Sequence, residues 1–187
     1  LIIFKHIRPV KILVIQTAFI GDVILATAVL EKLHQTYPQS KIDLLVRKGN
    51  ESLFNGHPFL NEVLIWNKKQ QKIRNLFQLI ASVRSNRYET VINLHRFASS
   101  GIITAFSGSG HTIGFTKNPF SFLFSKKFPH EIAVNASDPY THETDRNQLL
   151  IADLTDTVSA RPKLYPSVAD YEKVKPMQSK PYICIAP

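Results

Sequence analysis

Short, almost wholly apolar runs alternate along this chain with segments of helical period. Residues 11–16 (KILVIQ) are apolar and rich in branched side chains, as in a strand covered on both faces. Val23, Ala26, Leu30, Leu33 and Tyr37 then recur at helical spacing over residues 21–37, and Pro38 ends the helix. The same reading predicts a strand at 41–46, a short helix at 50–55 and a third strand at 62–66. Ile73, Leu76, Phe77, Ile80 and Val83 share one face of a helix over 70–84. A fourth strand at 90–94, a small-residue helix at 97–106 and a fifth strand at 111–115 complete the pattern. Strands separated by helices of this length imply parallel crossovers. The expected fold is α/β, with a Rossmann-like, open, mostly parallel sheet and helices on both faces.

Residues 116–140 are less regular, with four Phe among basic and polar positions. A further helix is expected over 141–154, with Thr141 as N-cap and Glu143 and Asp145 in its first turn. Pro162, Pro166 and Pro176 mark residues 161–180 as a linker after a first domain of residues 1–160. Residues 182–186 read as a strand, so 181–187 would open a second domain. The sole Met is Met177 and the chain stops directly after that strand-like run. The expectation is therefore the first part of a longer polypeptide.

The 187 residues are 44% hydrophobic and 20% charged, which excludes a disordered tail or a coiled coil. Twenty-three Lys and Arg against fourteen Asp and Glu give a net charge of +9, so the expected partners are anionic. A single cysteine, Cys184, cannot form an internal disulfide and suits a reducing compartment. No apolar run approaches the roughly 18–20 residues of a membrane span, and the opening Leu1–Phe4 run is too short for a signal peptide. The expected location is cytoplasmic.

In open α/β sheets, ligands bind beyond the carboxyl ends of the strands. Three expected loops lie there. In the first, Thr17 to Asp22, Gly21 permits a tight turn and close approach of a ligand to the backbone. Asp22 at the helix start, where the macrodipole favours a carboxylate, is either a cap or a general base for a hydroxyl. In the second, Arg47 and Lys48 are either an exposed basic turn or contacts to a carboxylate or phosphate. In the third, His95 and Arg96 either meet an acidic substrate or are solvated.

Several standard sites are missing. There is no G-x-G-x-x-G after the first strand, no P-loop lysine motif, and no Cys/His cluster at metal-ligand spacing. Neither a cofactor nor a metal is expected.

Together these segments resemble glycosyltransferase family 9, the ADP-heptose:lipopolysaccharide heptosyltransferases. The resemblance rests on KILVIQTAFIGDVILATAVLEKL, with its Gly-Asp pair after the first strand. It rests also on RYETVINL at 87–94, HTIGF at 111–115, HETDRN at 142–147 and YICIAP at 182–187. It implies one half of a two-domain enzyme of the GT-B type, with the acceptor held by the amino-terminal half. The implied reaction is inverting and metal-independent, with Asp22 as general base. The implied donor is a nucleotide-sugar, ADP-heptose, bound mainly by the second domain, and the implied acceptor is the anionic lipopolysaccharide inner core. Thr17, Gly21, Arg47, Lys48, His95, Arg96, Lys117, Lys126 and Lys127 are the implied acceptor contacts. A +9 domain also suits peripheral docking on the inner face of the cytoplasmic membrane. This fragment alone is expected to be inactive. The alternative is a non-catalytic anion- or glycan-binding module with a basic cleft. Nucleic-acid binding rests on charge alone and is not expected.

Overall fold

The structure, a computed structural model, describes residues 10–68, 71–131 and 142–183. In chain order it comprises β1 (Lys11–Gln16), α1 (Ile20–Thr36), β2 (Lys41–Arg47), β3 (Leu60–Trp66), α2 (Lys72–Ser85) and β4 (Thr90–Asn93). There follow α3 (Ala98–Ala105), β5 (His111–Phe115), β6 (Lys126–Phe128), α4 (Glu143–Leu149) and α5 (Val168–Val174). Single 3-10 turns occupy Glu51–Phe54, Ser121–Leu123 and Lys175–Gln178. The six strands form one sheet, ordered β3-β2-β1-β4-β5-β6 and parallel at every pairing.

Alternation along each strand distributes apolar side chains to two cores. Ile12 and Val14 of β1 pack with Val23, Leu30 and Leu33 of α1 and with Leu150 and Ile151 just after α4. Leu13 and Ile15 point the other way, to Leu79, Ile80 and Val83 of α2 and Ile103 of α3. Each such side chain stabilises the fold by roughly 1.5–3 kcal/mol of burial. Burial on both faces is why the strands read as continuous apolar runs.

Glu31 and Lys32 are buried within α1 because the chain from 154 to 165 runs over it. Tyr165 Oη donates to Glu31 Oε1 at 2.9 Å, Lys32 pairs with Asp156, and the Lys163 N–H donates to Thr27 Oγ1 at 2.9 Å.

The structure departs from the sequence reading in the last third. The irregular stretch after β5 holds a sixth strand, β6, at the sheet edge. Its three residues, Lys-Lys-Phe, have no apolar run because the first two face solvent. Thr112 and Ser125 tie β5 to this stretch through reciprocal backbone-to-hydroxyl bonds of 2.8 and 2.9 Å. Gly114 is required there, since a Cβ on it would lie 2.6 Å from the Phe124 ring. The helix expected at 141–154 is α4, shorter, with His142 as its N-cap; the Thr144 N–H donates to His142 Nδ1 at 3.2 Å. Thr141, Cys184 and most of the strand expected at 182–186 lie outside the described residues. The expected linker contains α5, begun by a capping box of Ser167 and Asp170. All seven of its residues are exposed.

Candidate active site

The strand order reverses between β1 and β4. Their following segments leave toward opposite faces, and a crevice opens between them. A cleft of about 880 Å³ occupies that position, lined by Thr17, Phe19, Asp22, Arg47, Lys68 and His95 among others.

Asp22 sits in the first turn of α1, half-buried. Its Oδ2 accepts the Phe19 N–H at 3.2 Å, which closes the helix start, while Oδ1 has no partner among the described residues. Gly21 beside it is exposed and lies inside α1 with a negative φ, so the turn after β1 is made by Thr17–Phe19 and not by the glycine. A Cβ on Gly21 would meet nothing within 4 Å.

Arg47 ends β2 and lies over the exposed Phe19 ring, 5.2 Å from its centroid. Lys68, two residues beyond β3, donates to the Thr17 carbonyl at 2.9 Å and to Thr17 Oγ1 at 3.3 Å. Its ammonium also stands 4.5 Å from the Trp66 ring centroid. Burial, with the charges of Arg47 and Lys72 nearby, pushes its pKa down to about 8.

His95 follows β4 and is only 8% exposed. Its Nδ1 lies 2.9 Å from Thr17 Oγ1. Burial first, then the charges of Lys68 and Arg96, lowers its pKa to about 4, so the ring is neutral at pH 7. The loop that carries it is held from below. The His95 carbonyl accepts from Ser100 Oγ at 3.0 Å and from Asn118 Nδ2 at 3.1 Å, and Asn118 also reaches the Phe97 carbonyl. Gly101 makes room for this, since a Cβ there would fall 2.0 Å from Asn118 Oδ1. Phe97, 63% exposed, and Phe19, 71% exposed, give the cleft two open aromatic walls.

Of the residues singled out by sequence, the fold brings Thr17, Asp22, Arg47, His95 and Arg96 to this one cleft. It does not bring the others into its lining. Lys48 is exposed one residue further out, Lys117 is exposed beyond β5, and Lys127 is exposed on the edge strand. Lys126 is paired with Asp153. Sequence reasoning missed Lys68 and Lys72, although Lys68 stands beyond the carboxyl end of β3 by the same rule that selected the other loops. It also missed Glu143, which lines the cleft and pairs with Arg146, so the HETDRN segment contributes to the site. No group of three His, Cys, Asp or Glu side chains able to hold a metal occurs among the described residues. No helix among them is long and apolar enough to cross a membrane.

No protein-family model matches the chain. It is 38% identical over 80 residues to lipopolysaccharide heptosyltransferase 3 of Escherichia coli, covering 41% of this chain and 24% of that protein. A glycosyl transferase family 9 structure from Veillonella parvula superposes with a TM-score of 0.79 at 20% identity, over 94% of this chain and 51% of that one. The ADP-heptose LPS heptosyltransferase II of E. coli gives a TM-score of 0.69 at 21% identity, over 90% of this chain and 50% of that one. The chain thus spans about half the length of the structures it matches. It has the fold of glycosyltransferase family 9 and is related in sequence to the lipopolysaccharide heptosyltransferases.

Proposed function

We propose that this chain forms the acceptor side of a lipopolysaccharide heptosyltransferase, which moves heptose from a nucleotide-sugar, ADP-heptose, to the inner core. The observation that carries this is the position of Asp22, with one carboxylate oxygen open to a cationic cleft at the sheet's switch point. An acceptor hydroxyl placed there gives its proton to Asp22 Oδ1. The freed oxygen pair attacks the anomeric carbon, the bond to the donor's phosphate breaks, and the nucleoside diphosphate leaves with that electron pair. Attack from the face opposite the leaving group inverts the anomeric centre, and the reaction draws on no metal.

Arg47, Lys68, Lys72 and Arg96 give the cleft the charge an anionic core requires. Thr17 and His95 offer the neutral polar contacts, and Gly21 keeps the start of α1 open. Lys48, Lys117, Lys126 and Lys127 are better placed for the outer core or an anionic membrane surface than for the reacting sugar. Phe122 and Leu123, in the same β5–β6 stretch as Lys117, Lys126 and Lys127, are exposed, in keeping with peripheral docking on the cytoplasmic leaflet. The domain reading, 1–160 with a linker at 161–180, belongs to the same proposal, with the donor's nucleotide held mainly by a second domain. The heptosyltransferase relatives favour this enzyme over a non-catalytic glycan-binding module.

The test is heptosyl transfer by the natural full-length protein, from ADP-heptose to a heptose-deficient inner-core acceptor, with and without EDTA. Product that forms equally in both supports the proposal. Acceptor binding without product from ADP-heptose would favour the binding module.

A further inference from the structure

Three side chains from three separate loops form one hydrogen-bonded chain across the cleft floor. Lys68 comes from the end of β3, Thr17 from the end of β1 and His95 from the end of β4. An ammonium can only donate, so Thr17 Oγ1 accepts from Lys68. The buried hydroxyl still has its single proton to donate, and the only acceptor against it among the described residues is His95 Nδ1, at 2.9 Å. A ring nitrogen that accepts carries no proton, and in a neutral imidazole the proton then resides on Nε2. That nitrogen has no partner among the described residues and is not sealed from solvent, while the ring itself lines the cleft.

We propose that Lys68, acting through Thr17, holds His95 as the neutral Nε2–H tautomer, so that the cleft presents an imidazole N–H donor to the acceptor. His95 is then a specificity contact and not a second base beside Asp22. The inference rests on the acceptor-side reading above and adds the chemistry that the acceptor must offer. An oxygen with a free lone pair, from a hydroxyl or a carboxylate, has to stand at this point.

The ring is fixed well enough to be selective. Its backbone carbonyl is held from Ser100 and Asn118, and Phe97 packs on it with ring centroids 4.8 Å apart. Burial, and then the two cations Lys68 and Arg96 that face the ring, keep it from taking a second proton. Glu143 lines the same cleft but is paired with Arg146.

The direct test is the nitrogen NMR spectrum of His95 in the natural full-length protein at pH 7, with histidine labelled at both ring nitrogens. The expected spectrum shows an unprotonated Nδ1 and a protonated Nε2, with the two tautomers mixing in Lys68→Met or Thr17→Val. A protonated Nδ1 in the wild type overturns the proposal. This readout does not depend on transfer, so it stands or falls apart from the proposed function. In the transfer assay, His95→Gln places an amide N–H near the position of Nε2 and is expected to raise the acceptor KM less than His95→Asn does. His95→Asn places it at Nδ1 and is expected to raise that KM by about fivefold to tenfold, the worth of one hydrogen bond. Equal losses in both variants would overturn the donor role.

Discussion

At the amino ends of the strands, Asp43 of β2 is fully buried and every demand of its carboxylate is met. It accepts from Tyr88 Oη at 2.7 Å and Asn61 Nδ2 at 2.7 Å, and Lys11 stands 3.6 Å away. The carboxylate in turn raises the Tyr88 pKa, after burial itself. At the carboxyl ends of the same strands, Lys68 and His95 are also taken from water, but among neutral groups and other cations. The first cluster closes on itself and is structural. The second is left with net positive charge, one open carboxylate oxygen on Asp22 and one open imidazole nitrogen. A polar cluster whose charge balances within the fold holds the fold together, whereas one that remains unbalanced toward a cleft awaits a ligand.

The contrast can be broken most severely at the closed end. Asp43→Ala leaves the buried Tyr88 hydroxyl without its acceptor, at about 1–3 kcal/mol, while the exposed Asn61 amide turns to water. Denaturant unfolding should show that loss, while acceptor KM stays unchanged. At the open end the opposite is expected. Lys68→Met should leave the unfolding midpoint no lower, yet raise acceptor KM about tenfold or more, the worth of a charge-assisted bond. The pH profile sharpens this further. Lys68 loses its proton near pH 8, so acceptor binding should weaken as pH rises through that value, and Lys68→Arg should remove the limb.

A smaller effect is expected from Gly101→Ala, whose methyl would displace Asn118 and loosen the His95 loop. A stability cost of about 1–3 kcal/mol is expected from the overpacking, together with a fall in kcat. The smallest concerns His57, whose ring packs against Phe54, Phe59 and Tyr165 and has no hydrogen-bond partner for either nitrogen among the described residues. Burial, aided by His34, lowers its pKa from 6.5 to about 4, so the unfolded chain takes up the proton first. Stability should therefore fall between about pH 6.5 and pH 4 and change no further below that through this group. His57→Phe should flatten the slope in thermal melts over that window.

Much of this was legible in the sequence. The apolar run KILVIQ located β1 to the residue, because a strand covered on both faces leaves almost no polar interruption. Asp22, Arg47 and His95 were expected at one place because a parallel sheet sends the loops after its strands to one end, and they line one cleft. What was not legible arises from long-range packing. β6 lacks a hydrophobic pattern because it is an exposed edge. α5 was hidden by the prolines around it, although Ser167 and Asp170 mark its start. Lys68 reads as one more surface lysine until the fold sets it on Thr17, and Gly101 and Gly114 acquire their meaning only from Asn118 and Phe124.

The central claim is that Asp22 at the open end is the base. Its most direct test is the transfer rate of Asp22→Asn in the natural full-length protein, with its unfolding curve measured alongside. The expected result is a loss of about 10²–10⁴ in kcat, the usual worth of a general base, at an unchanged unfolding midpoint. A rate within threefold of wild type would contradict the account.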